Sequence, residues 1–226
     1  MSSSTTARQR PSKKYVQEIF HRLEANDPDP QTELVYTTPF SLLVSVVLSA
    51  QATDASVNAV MGKIRANIDT PQKVVELGEE ALSQAIRSLN FYRNKARHIF
   101  ATAQKLVQDF HGQVPQRKSD LITLPGVGPK TANVILNVLS GDANIAVDTH
   151  VFRTSHRLGL STAPTPQAVE QDLYKVVPKV YWARTNHWLV LHGRHVCKAR
   201  KPQCDSCFLA DICPKIGLTT APSPQS

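Results

Sequence analysis

Leu124-Pro125-Gly126-Val127-Gly128-Pro129-Lys130-Thr131-Ala132 reads as a tight turn between two helices. It joins the short apolar run Leu121 to Leu124 to the helical run Thr131 to Leu139. Two glycines flanking one apolar residue permit positive φ and leave backbone N–H groups bare. Such groups at the start of a helix form an anion site suited to phosphate, so Gly126, Val127 and Gly128 are candidate nucleic-acid contacts. A plain helical hairpin accounts for the same residues. A Walker A loop does not, because Gly126 and Gly128 are too close and no Gly-Lys pair follows. Lys130 falls in or near the first helical turn, where the positive end of the macrodipole disfavours an ammonium. Partial desolvation would act in the same direction. A neutral amine is what a Schiff-base nucleophile must be; the plainer role is an exposed lysine touching a phosphate.

Working outward, apolar residues recur at helical spacing in Tyr15, Ile19, Phe20 and Leu23, in Val57, Val60, Met61 and Ile64, and in Ile99, Ala103, Leu106, Val107 and Phe110. Thr70-Pro71 and Thr165-Pro166 each set a capping hydroxyl before a proline suited to the first helical position, while Gly78, Gly112 and Gly141 follow periodic runs as stops. About ten helices on short connections are expected. The nearest thing to a strand, residues 144–147, is too short to seed a sheet. The fold class is therefore all-α.

The chain has 226 residues, of which 26 are Lys or Arg and 18 Asp or Glu, a net charge of +8. That length suits one large or two modest domains. No run approaches the roughly 18 apolar residues of a membrane span, and no apolar stretch follows Arg8 and Arg10 as a secretory signal would require. Arg8, Arg10, Lys13 and Lys14 lie among residues 1–14 without an acid, giving an expected disordered basic tail. Between Leu173 and Cys204 lie Lys175, Lys179, Arg184, Arg194, Lys198, Arg200 and Lys201, again without an acid. A solvated helix face ordinarily intersperses acids as i,i+4 partners, so this stretch points to a polyanion.

All four cysteines, Cys197, Cys204, Cys207 and Cys213, fall within 17 residues. In a reducing compartment two disulfides are disfavoured. Structural zinc usually takes two Cys-x-x-Cys knuckles, and here Cys204 to Cys207 alone has that spacing. An iron-sulfur cluster needs four thiolates but no paired knuckles, and is favoured over zinc. In Val147-Asp148-Thr149-His150, Asp148 follows an apolar run and precedes a helical one. It suits a helix N-cap and equally a carboxylate that steadies a cation or handles a proton.

Taken together, Ser49-Ala50-Gln51-Ala52-Thr53-Asp54, Tyr92 with Lys95-Ala96, the Leu-Pro-Gly-Val-Gly hairpin, Val147-Asp148-Thr149-His150, His192-Gly193-Arg194 and the four-cysteine loop resemble the endonuclease III family of base-excision DNA glycosylases, in the helix-hairpin-helix superfamily. The resemblance runs from about Tyr15 to Cys213. It implies two helical domains: a six-helix bundle over residues 32–142 holding the hairpin, and a [4Fe-4S] cluster domain built from residues 15–31 and 143–213, with a flexible tail over 214–226. It implies a bifunctional glycosylase/AP lyase that removes oxidised pyrimidines and cuts 3′ to the lesion, with Lys130 as nucleophile and Asp148 assisting. The four cysteines would hold the cluster. Gln51 and Phe91 would fill the gap left by a flipped nucleotide, and Arg194, Lys198, Arg200 and Lys201 would contact DNA. The implied partner is double-stranded DNA with a damaged or abasic site, bound by a monomer, in the cytoplasm at the nucleoid if the source is bacterial and otherwise in nucleus or mitochondrion. Lys130 and the short end after Cys213 argue against the adenine-specific relatives. Two departures stand out: Pro129 occupies a position commonly Arg or Lys, and Asn90-Phe91-Tyr92-Arg93 replaces a frequent Gly-Leu-Tyr-Asn. The alternative reading is a catalytically weak DNA-damage-binding protein that keeps hairpin and cluster.

Overall fold

A computed structural model describes residues 10–141 and 143–218. Among them are eleven α-helices, two short 3-10 turns and no strand, so the all-α expectation holds. The chain divides into two compact units, one comprising Gln31–Asn144 and the other running from the N-terminus to Pro30 and onward from Ile145.

The central unit contains α2 (Pro39–Leu48), α3 (Asp54–Ile64), α4 (Pro71–Leu77), α5 (Glu79–Ala85), α6 (Tyr92–Asp109), α7 (Lys118–Leu121) and α8 (Pro129–Ser140). That is one more helix than the six expected, because the four residues before the hairpin close a turn of their own as α7. The caps form as the sequence implied: Thr70 accepts from the Lys73 N–H, and Gly78 and Gly141, both at positive φ, end α4 and α8. α2 is apolar nearly all round and buried along its length, because α3, α6 and α8 pack about it. α3 buries Val57, Val60, Met61 and Ile64, and α6 buries Ile99, Ala103 and Leu106 in the same core.

The other unit contains α1 (Lys13–Asn26), α9 (Thr149–Arg157), α10 (Pro166–Val176) and α11 (Trp182–His195) around its own core of Phe20, Val151, Leu173, Trp188 and Leu189. Its two chain segments are tied by Arg22, which donates to the Phe208 carbonyl and the Asp211 carboxylate, and by the Trp188 indole, which donates to the Asp27 carbonyl. Residues 144–147 form no strand. Instead Tyr174 Oη accepts from the Ile145 N–H and Asn186 Nδ2 donates to the Ala146 carbonyl, so side chains satisfy the extended backbone.

Two expected tails are shorter than the sequence implied. The Ser12 hydroxyl accepts from the Tyr15 N–H and starts α1 at Lys13, so Lys13 and Lys14 are helical. At the other end the Ile216 N–H donates to the Arg157 carbonyl, and the Lys215 N–H points at Cys213 Sγ, which anchors the residues after Cys213. The remainder of both tails, residues 1–9 and 219–226, lies outside the described residues. Among the described residues no helix is long and apolar enough to cross a membrane.

The hairpin turn itself is asymmetric. Gly126 sits at φ +78, and a Cβ there would lie 2.9 Å from the Cβ of His98 on α6. Gly128 is at φ −85 and a Cβ would meet nothing within 4 Å, so positive φ is required once, not twice. Gly126→Ala is expected to destabilise the protein by about 1–3 kcal/mol, the cost of a strained backbone position. Gly128→Ala should stay within about 0.5 kcal/mol of the parent, as an unstrained surface change does. Denaturant unfolding of the two variants checks this.

Candidate functional site

In the central unit, α8 starts where the hairpin ends. Gly128 is its N-cap and Pro129 its first residue, where a missing N–H costs no helical bond and the fixed φ suits the helix. Pro129 therefore leaves the helix intact while removing both a cation and a donor from its first turn. Lys130 follows on that turn and is exposed. The expected desolvation is thus not supplied by the chain around it. The turn is fastened by the Thr102 hydroxyl, which donates to the Pro125 carbonyl at 2.8 Å. Val127 differs from its glycine neighbours: its side chain is 5% exposed in the core and its N–H donates to the Leu124 carbonyl. As an anion contact it is corrected to a packing residue, which leaves the N–H groups of Gly126 and Gly128 for that role.

Gln51 and Phe91, 40 positions apart, are brought together in the same unit. Both are non-glycine residues in the left-handed region, at φ 54 and φ 57. Phe91 is the N-cap of α6 and is 60% exposed, so its ring is not part of the core. Asn90 Nδ2 donates to the Gln51 carbonyl at 3.4 Å. A bulky side chain at positive φ is strained by roughly 1–3 kcal/mol and tends to be kept where it does something. Lys95, one turn into α6, is 5% exposed, and its ammonium donates to the Leu48 carbonyl at the end of α2. Burial pushes this ammonium below its ordinary range.

In the other unit, Asp148 is the N-cap of α9, its Oδ1 accepting from the N–H groups of His150 and Val151 at 2.8 and 2.7 Å. The capping reading is thus realised, with both bonds on one oxygen. Burial pushes the His150 imidazole down, and the nearby charges of Arg153 and Arg194 add to that against the opposing pull of Asp148. α9 and α11 approach so closely that a Cβ at Gly193 would lie 2.8 Å from Thr154 Oγ1, so a glycine is needed there. Lys130 belongs to the central unit and Asp148 to the other.

The four cysteines are free and half-buried, and all of them line one pocket together with Arg157, His192 and Val196. Two arginines of α9 hold the loop that carries the first of them. Arg153 donates to the carbonyls of Cys197 and Gly193, and Arg157, 9% exposed, donates to the carbonyls of Cys197, Lys198 and Ala199. Arg157 also reaches Cys197 Sγ at 3.4 Å, while the N–H groups of Leu209 and Lys215 point at the sulfurs of Cys207 and Cys213. Burial, and then the neighbouring thiolates, push the Cys207 and Cys213 thiols up against the pull of those N–H groups. Four thiolates cannot share such a cavity without a compensating cation. Among the described residues no three His, Cys, Asp or Glu converge closely enough to hold one metal ion. Four thiolates around one pocket, with donors at Cys197, Cys207 and Cys213 and a neutral imidazole at Cys207, fit a multi-atom iron-sulfur group that spreads their charge over several irons. That imidazole is His192, pushed down to about 4 by burial, with Nε2 3.7 Å from Cys207 Sγ.

Of the basic candidates, Lys198, Arg200 and Lys201 are exposed on the loop that Arg157 grips, Lys201 at φ 52, and Arg194 is half-buried at the end of α11. The sequence reading quoted Lys95 only as part of the resemblance, with no role, and did not single out Arg153 and Arg157. The last two stand four apart, so a basic pair at i,i+4 on a helix with a strong apolar face was the available signal.

Residues 44–179 match the HhH-GPD superfamily of base excision DNA repair proteins, and residues 197–213 match the iron-sulfur binding domain of endonuclease III. The chain is 48% identical over 198 residues to endonuclease III of Rickettsia conorii, covering 88% of this chain and 94% of the relative. It is 49% identical over 202 residues to endonuclease III of Treponema pallidum, covering 89% and 96%. Among solved structures it resembles a trapped endonuclease III–DNA covalent intermediate, with a TM-score of 0.85, 42% identity, and coverage of 91% of this chain and 97% of that one.

The donor set leads to a direct expectation. Freshly purified protein should be yellow-brown and hold about four irons per chain, the content of a [4Fe-4S] group. One zinc per chain and no iron, by elemental analysis, would contradict the assignment.

Proposed function

Because the chain belongs to the endonuclease III family of base excision DNA repair proteins, we propose that Lys130 is its nucleophile and Asp148 the carboxylate that assists, acting on a damaged or abasic nucleotide in duplex DNA. The enzyme is a bifunctional DNA glycosylase/AP lyase, and it carries a [4Fe-4S] cluster. The observation that carries the residue assignment is the exposure of Lys130 on the first turn of α8, directly after the Gly126–Gly128 turn.

The amine of Lys130 attacks C1′ of a nucleotide flipped from the stack, and the base leaves with the electron pair of its glycosidic bond and takes up a proton. Flipping is needed because C1′ is shielded in the duplex, and it is easiest at a damaged or mispaired base. Opening of the sugar ring gives an imine between Lys130 and C1′. Loss of a C2′ proton then expels the 3′ phosphate, which cuts the strand, and water releases the lysine. Asp148 stabilises positive charge at the sugar or takes the proton from the attacking amine. With both cap bonds on Oδ1, the second oxygen is the one assigned to this work. No step runs through the cluster, which Cys197, Cys204, Cys207 and Cys213 would hold; with Arg153 and Arg157 it would brace the loop of Lys198, Arg200 and Lys201, whose cations neutralise phosphates. Gln51 and Phe91 fill the vacated position, a phenyl ring stacking on bases for about 1–3 kcal/mol each. Oxidised pyrimidines are the proposed substrate class, monomeric binding the proposed stoichiometry, and the cytoplasm the proposed site of action.

Borohydride should crosslink the parent protein to a duplex bearing one abasic site, and strand cutting should persist in EDTA because β-elimination needs no divalent metal. Lys130→Ala should still bind that duplex and lose trapping by about a thousandfold, as loss of an activated nucleophile does. Trapping at undiminished yield in the variant would pass the role to another amine.

A further inference from the structure

Lys95 is the least exposed lysine among the described residues, and a buried ammonium is costly unless something requires it. Its position says what that is. The side chain lies on the apolar stripe of α6, four residues before Ile99, and crosses to the Leu48 carbonyl at 2.8 Å. Leu48 is the last residue of α2, whose terminal carbonyls lack helical partners and whose dipole favours a cation there. Three residues beyond it stands Gln51 at φ 54, and four residues before Lys95 stands Phe91 at φ 57. The Lys95 N–H donates to the Phe91 carbonyl, and Asn90 Nδ2 donates to the Gln51 carbonyl. One lysine therefore bonds through its backbone to one strained turn and through its ammonium to the helix end that carries the other.

We propose that Lys95 is a positioning residue that fixes the separation of the Gln51 and Phe91 turns, so that both side chains enter the duplex together when a nucleotide is extruded. This rests on the reading of Gln51 and Phe91 as gap-filling residues. Lys95 touches no DNA and no reacting atom; it acts by holding two turns at a set distance, the kind of placement in which an error of about 1 Å costs on the order of a hundredfold.

The test compares full-length Lys95→Met, Lys95→Gln, Gln51→Ala and Phe91→Ala, each with its cluster loaded. One probe is a duplex containing a tetrahydrofuran abasic analogue with 2-aminopurine opposite it, whose fluorescence rises when the base is unstacked. The second readout is the lyase rate on abasic sites in duplex and in single-stranded DNA, since a single strand leaves no gap to fill. Lys95→Met should lose the fluorescence rise and slow duplex cleavage by about ten- to a hundredfold, with single-strand cleavage and undamaged-duplex affinity unchanged. Lys95→Gln, which keeps an N–H donor but shortens its reach, should show the same split to a smaller degree. Equal losses on duplex and single strand, no loss on either, or failure of both lysine variants to fold would make Lys95 a packing element and overturn the proposal. If Gln51→Ala and Phe91→Ala abolish the fluorescence rise and Lys95→Met does not, the positioning role alone falls. If neither of those two changes it, the gap-filling reading falls and takes the proposal with it.

Discussion

A single stripe of α6 sets the geometry of the central unit's functional surface. Lys95, His98 and Thr102 recur at intervals of three and four, so they stack along one face of the helix behind its cap, Phe91. Phe91 caps it in the left-handed region, Lys95 holds the end of α2, His98 presses against Gly126, and Thr102 donates to the carbonyl of Pro125. The turn bearing Gln51, the turn bearing Phe91 and the hairpin bearing Lys130 are thus all referred to one rigid element. Shared support matters because reaction at C1′ requires the nucleotide to be out of the stack, its place filled and the amine presented, all at once.

The second unit applies the same economy to charge. α9 is capped by Asp148, and its last turns carry Arg153 and Arg157, which grip the loop of Cys197 through four carbonyl bonds and α11 through a fifth, at Gly193. The helix that Asp148 caps therefore also positions Cys197, the first of the four proposed cluster ligands, and the exposed cations beside it. Arginine suits this because its planar fork serves several acceptors from one buried position.

The helices, caps and hairpin were legible because each rests on local rules: apolar spacing in α3, Thr-Pro starts at α4 and α10, and glycine stops. The cysteine set was legible as a candidate site because its spacing is itself a chemical constraint. Tertiary partnership was not. Val127 looked like one of three equivalent loop residues, yet its side chain fills the core. Gly128 looked like a second positive-φ glycine, yet its backbone is extended. Lys95 sat in plain view on an apolar stripe, and nothing local could tell a snorkelling lysine from one that crosses to another helix. The exposure of Phe91 was signalled by Asn90, Arg93 and Asn94 around it, and its left-handed backbone was not.

The central claim is that the amine of Lys130 becomes covalently joined to the sugar. The most direct measurement is peptide mapping by mass spectrometry of the parent protein after borohydride reduction on an abasic duplex and removal of the DNA by nuclease. The account places the reduced sugar adduct on the peptide containing Lys130 and on no other lysine. An adduct on a different lysine, on the chain's N-terminal amine, or spread over several amines would contradict it.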